Sequence, residues 1–336
     1  MAQPTASPVN ILFTSAGRRV ELLRAFRRAY QALDLPGRIV AVDIDRLAPA
    51  LQAADRAYLV PRLNSPGYIP ALAEICAREQ IDLVFPLIDP EIPVLAAHRE
   101  TIEATGARLA VASPQAVETT ADKWLTQSFF CSLDLPTPRS WLPADLDPGA
   151  LDFPVFIKPR RGSASTSTFK VNSVDELAFF VRYVPDPIIQ DFVAGPEITC
   201  DVVCDVDGEL LGVCLRQRIE VRWGEVAKGI TVSDSGIVDA CARIAHALPA
   251  AGPITVQCIL QDGAPRFTEI NARFGGGLPL AIASGVDAPR WLLARAAGLR
   301  LAIPPLGSYQ TGLRMTRFDA SYFLDEGADE RFSRVG

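Results

Sequence analysis

The stretch from Phe267 to Gly277, Phe-Thr-Glu-Ile-Asn-Ala-Arg-Phe-Gly-Gly-Gly, sets three polar side chains at alternate positions of a predicted strand. Because side chains alternate across a strand, Glu269, Asn271 and Arg273 are expected on one face. Phe267 has the same parity and is expected beside them. Carboxylate and amide oxygens suit Mg²⁺, and a guanidinium offers paired donors to phosphate oxygens. The stretch predicts a site for a metal ion and a phosphoryl group, although a solvated strand face before a glycine turn would give the same pattern.

Composition narrows the class of protein that carries this stretch. A chain of 336 residues with 49% apolar side chains predicts a globular protein of two or three domains. The net charge of −6 argues against a nucleic-acid partner. No apolar run approaches the roughly 20 residues of a membrane span, and the short, polar N-terminus does not have the pattern of a signal peptide. Seven cysteines without a Cys-x-x-Cys pair indicate reduced thiols, so a cytoplasmic location is expected.

The first third of the chain alternates predicted strands and helices, which is typical of a Rossmann-like parallel sheet over residues 1–115. Its first turn, Ser-Ala-Gly-Arg-Arg at residues 15–19, has one glycine, so the turn lacks the Gly-x-Gly-x-x-Gly pattern of a dinucleotide site. Polar residues that follow the strands could contact a substrate at the carboxyl edge of the sheet, or could serve as caps and turns. They are Ser15, Arg18, Asp43, Asp89 and Glu91.

Two further stretches could bind anions. A predicted strand ends in Lys158, one of only four lysines, and leads into the loop Gly162 to Thr168, whose glycine, serine and threonine residues could lay donors over a polyphosphate. A disordered linker would have a similar composition. Farther along, Arg216, Arg218 and Arg222 share one predicted strand face with Glu220. Three guanidinium groups on one face indicate an anionic ligand, and a solvated sheet face is the alternative.

Taken together, these motifs resemble the ATP-grasp superfamily, and more closely its carbamoyl-phosphate-synthase-like branch and the ligases of pyrrolysine biosynthesis. The resemblance covers nearly the whole chain. It is carried by Ser-Ala-Gly-Arg-Arg, Pro-Leu-Ile-Asp-Pro-Glu at 86–91, Ala-Asp-Lys at 121–123, Phe-Ile-Lys-Pro, the Gly/Ser loop, Ile-Ile-Gln-Asp-Phe-Val-Ala-Gly-Pro-Glu at 188–197, Arg-x-Arg-Ile-Glu-Val-Arg-x-Gly-Glu at 216–225, and Gln257 with Glu-Ile-Asn-Ala-Arg at 269–273. One departure is the Phe-Gly-Gly-Gly after Arg273, where the synthase has a run with serine and arginine; this counts against carbamoyl phosphate synthesis specifically.

The resemblance implies an α/β fold, α+β in the C-terminal part. A Rossmann-like pre-ATP-grasp domain at 1–115 would precede an N-terminal lobe with the phosphate lid at 116–190 and a C-terminal lobe with the Mg/ATP site at 191–325. It also implies roles for individual residues. Those implied to bind ATP are Lys123, Lys158, Gly162, Ser163, Ser165, Gln190, Asp191, Phe192, Val193 and Glu197. Those implied to bind Mg²⁺ are Gln257, Glu269 and Asn271, and the catalytic residues are Arg273, Lys228 and Arg216. Contacts to the substrate are expected from Arg218, Arg222, Asp89 and Glu91.

The activity implied is that of an ADP-forming ligase that activates a small-molecule carboxylate as an acyl phosphate for attack by an amine. Its cofactors would be ATP and two Mg²⁺ ions, with Mn²⁺ as a possible substitute, and a homodimer is one possible assembly. The alternatives are a carbamoyl-phosphate-synthase-like enzyme or small-molecule kinase that releases a phosphorylated product, and a nucleotide-binding protein without turnover.

The implied metal ligands impose one geometric requirement on the chain. Gln257 and Glu269 can share an ion only if their side chains leave the hairpin on the same side. Their separation is even and centres on Gly263, which predicts a three-residue loop from Asp262 to Ala264. A two-residue turn in a regular hairpin would place the two side chains on opposite faces.

Overall fold

The structure is a computed structural model that describes residues 7–162, 166–222, 224–325 and 333–334. The first domain is built on a parallel sheet in the order β3-β2-β1-β4-β5, with the short strand β16 on the outer side of β3. Its strands are β1 (Ile11–Thr14), β2 (Ile39–Asp43), β3 (Arg56–Leu59), β4 (Leu83–Pro86), β5 (Arg108–Leu109) and β16 (Ser333–Arg334). Its helices are α1 (Val20–Leu33), α2 (Pro49–Ala53), α3 (Tyr68–Glu79), α4 (Ile92–Ala97) and α5 (Arg99–Glu103).

This order is that of one half of a doubly wound fold, and it confirms the Rossmann-like prediction. The central strands β1 and β4 are buried along their whole length, which explains why they read as short apolar runs without alternation. Among the described residues, no helix is both long and apolar enough to cross a membrane.

Two helices and a small antiparallel sheet follow the first domain. The helices are α6 (Pro114–Ala121) and α7 (Lys123–Ser132). The sheet has the order β6-β9-β7-β8. Its strands are β6 (Ser140–Trp141), β7 (Val155–Pro159), β8 (Phe169–Val171) and β9 (Pro187–Asp191), and α8 (Val174–Tyr183) joins β8 to β9. The side chains between α8 and the sheet form a hydrophobic cluster of their own.

The rest of the chain forms a large antiparallel sheet in the order β14-β13-β10-β11-β12-β15. Its strands are β10 (Glu197–Cys204), β11 (Leu210–Arg222), β12 (Glu225–Val232), β13 (Ile254–Gln261), β14 (Ala264–Asn271) and β15 (Arg314–Thr316). Its helices are α9 (Ser235–Ala247), α10 (Leu278–Ser284) and α11 (Ala288–Ala296). Parallel β-α units followed by antiparallel sheets confirm the predicted fold class.

The large sheet and the first domain share two continuous hydrophobic cores. In one of them, Phe274 of the segment after β14 packs between rings of the first domain, with centroids 5.3 Å from Phe85 and 6.0 Å from Phe26. In the other core, the ring centroids of Phe130 of α7 and Phe267 of β14 are 5.6 Å apart. Helix α7 thus packs on the large sheet, although the predicted division assigns it to the lobe at 116–190; those domain boundaries stay a prediction.

The contact between α7 and β14 provides a stability test. Phe267 is fully buried against Phe130, so Phe267→Ala should lower the free energy of unfolding by about 3–5 kcal/mol. The matched control Phe323→Ala removes an exposed ring and should change it by less than about 0.5 kcal/mol. Urea titrations followed by circular dichroism measure both changes. Equal, small shifts in the two variants would contradict the packing described here.

Candidate active site

The hairpin of β13 and β14 turns through two residues and not three. Asp262 and Gly263 have φ values of 51° and 82°, and Ala264 already pairs with Gln261. The predicted three-residue loop is therefore wrong, because a two-residue turn with both central residues at positive φ fits the twist of the strands. Gln257 nevertheless lies directly opposite Glu269, since the register shifts by one residue between them and the turn.

That shift is a β-bulge at Thr268, and it decides which side chains face the site. Cys258 pairs with Phe267 and Gln257 pairs with Glu269, so Thr268 is the extra residue of β14. Phe267 is consequently in the core, and the expectation that it shares a face with Glu269 is wrong. Glu269 and Asn271 line a large cleft, as does Gln257 from the neighbouring strand. All three predicted metal ligands are thus brought together.

The cleft has a volume of about 940 Å³ and lies between the four-stranded sheet and the large sheet. Residues from both sheets line it, which places the end of β7 opposite the β13–β14 hairpin. Eight of the ten residues predicted to bind the nucleotide line the cleft; Ser163 and Ser165 lie outside the described residues. The eight are Lys123, Lys158, Gly162, Gln190, Asp191, Phe192, Val193 and Glu197.

The ammonium group of Lys158 is buried at the end of β7, with only 7% of the residue exposed. Burial lowers the pKa of Lys158 to about 8; the negative charge of Glu269 opposes this shift, and the positive charge of Lys123 adds to it. A buried ammonium without an ion-pair partner at contact distance among the described residues is suited to receive an anion. The cleft therefore favours a negatively charged ligand beside Lys158.

The position of Lys123 in the first turn of α7 depends on the buried carboxylate of Asp122 and on the chain around Arg160. Asp122 caps the helix by accepting from the Trp124 N–H at 2.9 Å, and it pairs with Arg160 at 2.6 Å and Arg161 at 3.0 Å. The Lys123 N–H donates to the carbonyl of Arg160, and its ammonium donates to the carbonyl of Gly162 at 2.8 Å. Because a cation at a helix N-terminus is electrostatically unfavourable, these contacts account for its position there.

The other end of the cleft is formed by the chain as it leaves β9. The Gln190 side chain is held by donation to the Ser140 hydroxyl at 2.8 Å, and Asp191 pairs with Arg139 at 2.8 Å. Phe192 is covered by the Lys170 ammonium, 4.4 Å from the ring centroid. After Phe192 in the chain, Glu197 forms an ion pair with Arg218 of β11. This end combines a flat apolar ring with fixed polar groups, which suits a planar base.

A second cavity of about 210 Å³ adjoins the cleft, and we call it the inner chamber. Arg273 and Asp89 meet there at 2.6 Å, so the first domain and the large sheet both contribute to it. Arg218 reaches both the cleft and the chamber. Arg216 also lines the chamber, but its guanidinium is buried in an ion pair with Asp201 at 2.7 Å. Asp201 already neutralises the charge of Arg216, so this contact gives no support to a catalytic role for Arg216. That role stays a prediction.

The three glycines after Phe274 form a wall of the inner chamber. A Cβ atom at Gly275 would lie 2.6 Å from a carboxylate oxygen of Asp201, and one at Gly277 would lie 2.4 Å from the guanidinium carbon of Arg216. At Gly276 it would come within about 3 Å of Glu225 and Arg19. The glycine run therefore makes room for charged side chains.

Three of the residues that the resemblance assigns to catalysis or to the substrate are not brought to the cleft or the inner chamber, and neither are Ser15, Arg18 and Asp43. Glu91 is fully buried in the first domain and accepts from the Tyr68 hydroxyl, because the single turn of helix at 89–91 directs Asp89 outward and Glu91 inward. Burial raises the pKa of the Glu91 carboxyl. Lys228 is half exposed and pairs with Glu220 at 2.6 Å. Arg222 also pairs with Glu220, two positions before it on the same strand, and the pairing of β11 with β12 is irregular after Arg218.

Sequence reasoning did not single out two residues of the inner chamber. Arg19 precedes α1 and Glu225 begins β12, and their charged groups lie 3.6 Å apart at the wall formed by Gly276. The available signal was a pair of arginines at a helix N-terminus, where the helix dipole disfavours cations. Glu225 ends the motif at 216–225 on which the resemblance partly rests, but its place beside Arg19 depends on the strand pairing.

Comparison with known proteins agrees with this architecture. Residues 11–110 match the family model "PylC-like, N-terminal domain", and residues 183–319 match "ATP-grasp in the biosynthetic pathway with Ter operon". A carbamoyl-phosphate synthase of Methanobrevibacter smithii is 28% identical over 160 residues, 46% of this chain and 42% of that protein. A D-alanine–D-alanine ligase of Fusobacterium nucleatum is 35% identical over 94 residues, 28% of this chain and 31% of that protein. The chain thus spans less than half the length of these two relatives.

A solved structure extends the likeness to most of the fold. The L-amino acid ligase from Bacillus licheniformis superposes with a TM-score of 0.66 at 20% identity, covering 86% of this chain and 74% of that one. Similarity at this level of identity concerns the fold. By these matches, residues 11–110 are similar to a PylC-like N-terminal domain and residues 183–319 to an ATP-grasp domain, and the chain shares the fold of the L-amino acid ligase.

Proposed function

We propose that this protein is an ATP- and Mg²⁺-dependent ligase that activates a small-molecule carboxylate as an acyl phosphate, which an amine then attacks. The observation that carries the proposal is the cleft itself. It brings the ammonium groups of Lys123 and Lys158 together with the oxygen donors of the β13–β14 hairpin in a space of nucleotide size. The ligases among the relatives, by their names, join amino acids, which is the same class of reaction.

The residues of the cleft divide into two groups by chemistry. Phe192 and Val193 with the fixed Gln190 form the end suited to adenine, and Glu197, which also lines the cleft, would accept hydrogen bonds from ribose hydroxyls. Lys123 and Lys158 would neutralise the polyphosphate, since phosphoryl transfer depends mainly on positioning and charge neutralisation. The ammonium of Lys158 is suited to this role because it is buried and forms no ion pair with any described residue.

The donor set opposite the lysines fits a hard divalent cation. Gln257, Glu269 and Asn271 offer amide and carboxylate oxygens without nitrogen or sulfur ligands, a combination suited to Mg²⁺ and Mn²⁺. Within the described ranges, no cluster of three or more His, Cys, Asp or Glu side chains could hold a metal. The two Mg²⁺ ions predicted from the resemblance would lower the charge on the phosphates and orient them. This chain would contribute the three oxygen ligands.

The inner chamber would receive the acid, since it adjoins the cleft and is lined by arginine side chains. In the proposed reaction a carboxylate oxygen attacks the γ-phosphorus and ADP leaves. The amine nitrogen then attacks the acyl carbon, and phosphate leaves with one oxygen of the original carboxylate. Arg273 lines both cavities and is fixed by Asp89, so it could stabilise the transferred group between them. The predicted partners are thus a small carboxylic acid and an amine, with a homodimer as one possible assembly.

The path of the oxygen distinguishes this reaction from its alternatives. Amino acids would be screened for stimulated phosphate release, and the best acid would then be labelled with ¹⁸O in its carboxylate. Ligation transfers one labelled oxygen to inorganic phosphate. A stable phosphorylated product would favour the synthase or kinase alternative, to which the carbamoyl-phosphate synthase relative points. Nucleotide binding without phosphate release from any acid and amine pair would favour a protein without turnover.

The carboxylate of the hairpin provides the most direct mutational test. Glu269→Gln keeps the side-chain volume but removes the only negative charge of the predicted metal ligands, so ATP turnover should fall by about 100-fold or more. The fold should remain intact by circular dichroism. The control Glu209→Gln removes an exposed carboxylate paired with Arg295 and should leave turnover unchanged. Unaltered turnover in Glu269→Gln would refute the metal assignment.

The lowered pKa of Lys158 predicts how nucleotide binding depends on pH. Below pH 8 the ammonium is charged in the empty cleft and binding is at full strength. Above pH 8 it must take up a proton when the polyphosphate arrives, so affinity for the non-hydrolysable ATP analogue AMPPNP with Mg²⁺ should fall by up to about tenfold per pH unit. Calorimetry between pH 7 and 9.5 measures this slope.

The matching variant is Lys158→Met, which replaces the ammonium by an apolar side chain of similar length. It should bind the analogue more weakly at pH 7 and should lose the step above pH 8. A slope that persists in Lys158→Met would assign the proton to another group. Affinity equal to that of the unaltered protein would exclude Lys158 from phosphate binding.

A further inference from the structure

A third cavity lies on the far side of the inner chamber, and its lining bears on the substrate of the proposed ligase reaction. This outer chamber has a volume of about 270 Å³ and lies between the start of α1 and residues 317–322. The two chambers share a wall made of Arg19, Glu225, Val226, Gly275 and Gly276. The inner chamber in turn shares Arg273 with the nucleotide cleft, so the three cavities form a series.

Arg19 is the least neutralised charge of this wall. Its side chain is 16% exposed, and its one ion pair in the described part of the chain is the 3.6 Å contact with Glu225, longer than a hydrogen bond. Burial lowers the pKa of Arg19 to about 10, and the positive charges of Arg273 and Arg317 act in the same direction. A buried guanidinium keeps five donors that need acceptors, so its surroundings favour an anion.

Glu225 does not fully neutralise Arg19, because it also forms an ion pair with Arg317. Arg317 donates to Glu225 at 3.1 Å and to the carbonyl of Gly276, while its Nε is buried and has no hydrogen-bond partner among the described residues. The Nε of Arg273 is likewise buried and unpartnered. Around the wall, three carboxylates face three guanidinium groups: Asp89 pairs with Arg273, Glu21 lies 3.4 Å from Arg317, and Glu225 is shared between Arg317 and Arg19. Of the three guanidinium groups, that of Arg19 has the longest contact, with no ion pair shorter than 3.6 Å among the described residues.

The glycine at this wall keeps the guanidinium accessible from both chambers. A Cβ atom at Gly276 would lie 3.1 Å from a terminal nitrogen of Arg19 and 3.0 Å from the carboxylate carbon of Glu225. Any side chain there would therefore push against the two groups that separate the chambers. A ligand that crosses this wall would meet Arg19 in it, and the buried Nε atoms of Arg273 on the inner side and Arg317 on the outer side.

We propose that the acid substrate of this ligase carries a second anionic group, which Arg19 and Arg317 bind at this wall. Its reacting carboxylate would lie at Arg273 in the inner chamber. The chemistry fits a second carboxylate or a phosphate, both of which accept paired hydrogen bonds from guanidinium groups. Arg19 and Arg317 are thus substrate-binding residues that select a dianionic acid. The inference rests on the proposed function, but its test does not require turnover.

The test compares acids that differ only in the second charge. Calorimetry in the presence of saturating Mg²⁺ and AMPPNP would measure the binding of succinate, 3-phosphonopropionate and the singly charged butyrate. Each dianion should bind at least about tenfold more tightly than butyrate if the wall binds the second group. The stronger of the two dianions identifies that group as a carboxylate or a phosphate.

Arg19→Gln should abolish this preference while leaving the affinity for AMPPNP unchanged. Arg317→Gln serves as the second variant and should reduce the preference from the other side of the wall. The matched control is Arg27→Gln on the same helix, because Arg27 pairs with Asp55 at the surface, away from the chambers. Thermal melting of all three variants shows whether each is folded.

Several outcomes would overturn the proposal. They are equal affinity for dianions and butyrate, no binding of either while the nucleotide binds, and a preference that survives in both Arg19→Gln and Arg317→Gln. Failure of the proposed function is distinguishable, since it would appear as absence of nucleotide binding or of acid-stimulated phosphate release in the unaltered protein.

Discussion

The site depends on one extra residue in one strand. Without the bulge at Thr268, the two-residue turn at Asp262 and Gly263 would send Gln257 and Glu269 to opposite faces of the hairpin. With it, Phe267 stays in the core that joins the large sheet to α7, while Glu269 faces the cleft. A bulge thus lets one strand serve a buried interface along part of its length and a polar cleft along the rest.

The segment after β14 likewise directs some side chains into a core and others into a cavity. Phe274 is locked among aromatic rings of the first domain, and its neighbours Arg273 and Gly275 lie in the inner chamber. Contact between Arg273 and Asp89, which are 184 positions apart in the sequence, follows from this anchoring. The four-stranded sheet has a separate core, so the cleft lies between two independently packed bodies. That arrangement leaves a nucleotide-sized space without breaking either core.

The order of elements and much of the site could be predicted because both leave local signals. Apolar runs and helical spacing mark the parallel sheet, and polar residues such as Lys158 stand where strands end. The turn length could not be predicted, because a one-residue shift in register leaves the alternation of β14 almost unchanged. Glu91 and Lys228 were misplaced for another reason: a carboxylate that points inward and a lysine with a surface partner look like functional residues in sequence. The position of Arg19 at the chamber wall could not be predicted, because it depends on strand pairing that brings Glu225 beside it.

The cavities have one electrostatic feature in common: each is lined by a cation that burial has desolvated. Lys158 in the cleft and Arg19 at the chamber wall are both buried cations with lowered pKa values, and desolvation is the main cause in each case. A folded chain accepts such groups only where other contacts offset their cost. Here the packing around each cation supplies the offset: Lys158 stands beside the core of the four-stranded sheet, and Arg19 beside a core shared by the first domain and the large sheet. Among the described residues, Lys158 has no ion pair and Arg19 only one, at 3.6 Å. Anions that enter the cleft and the chambers would relieve that desolvation, and they would bind the more strongly because water is already excluded.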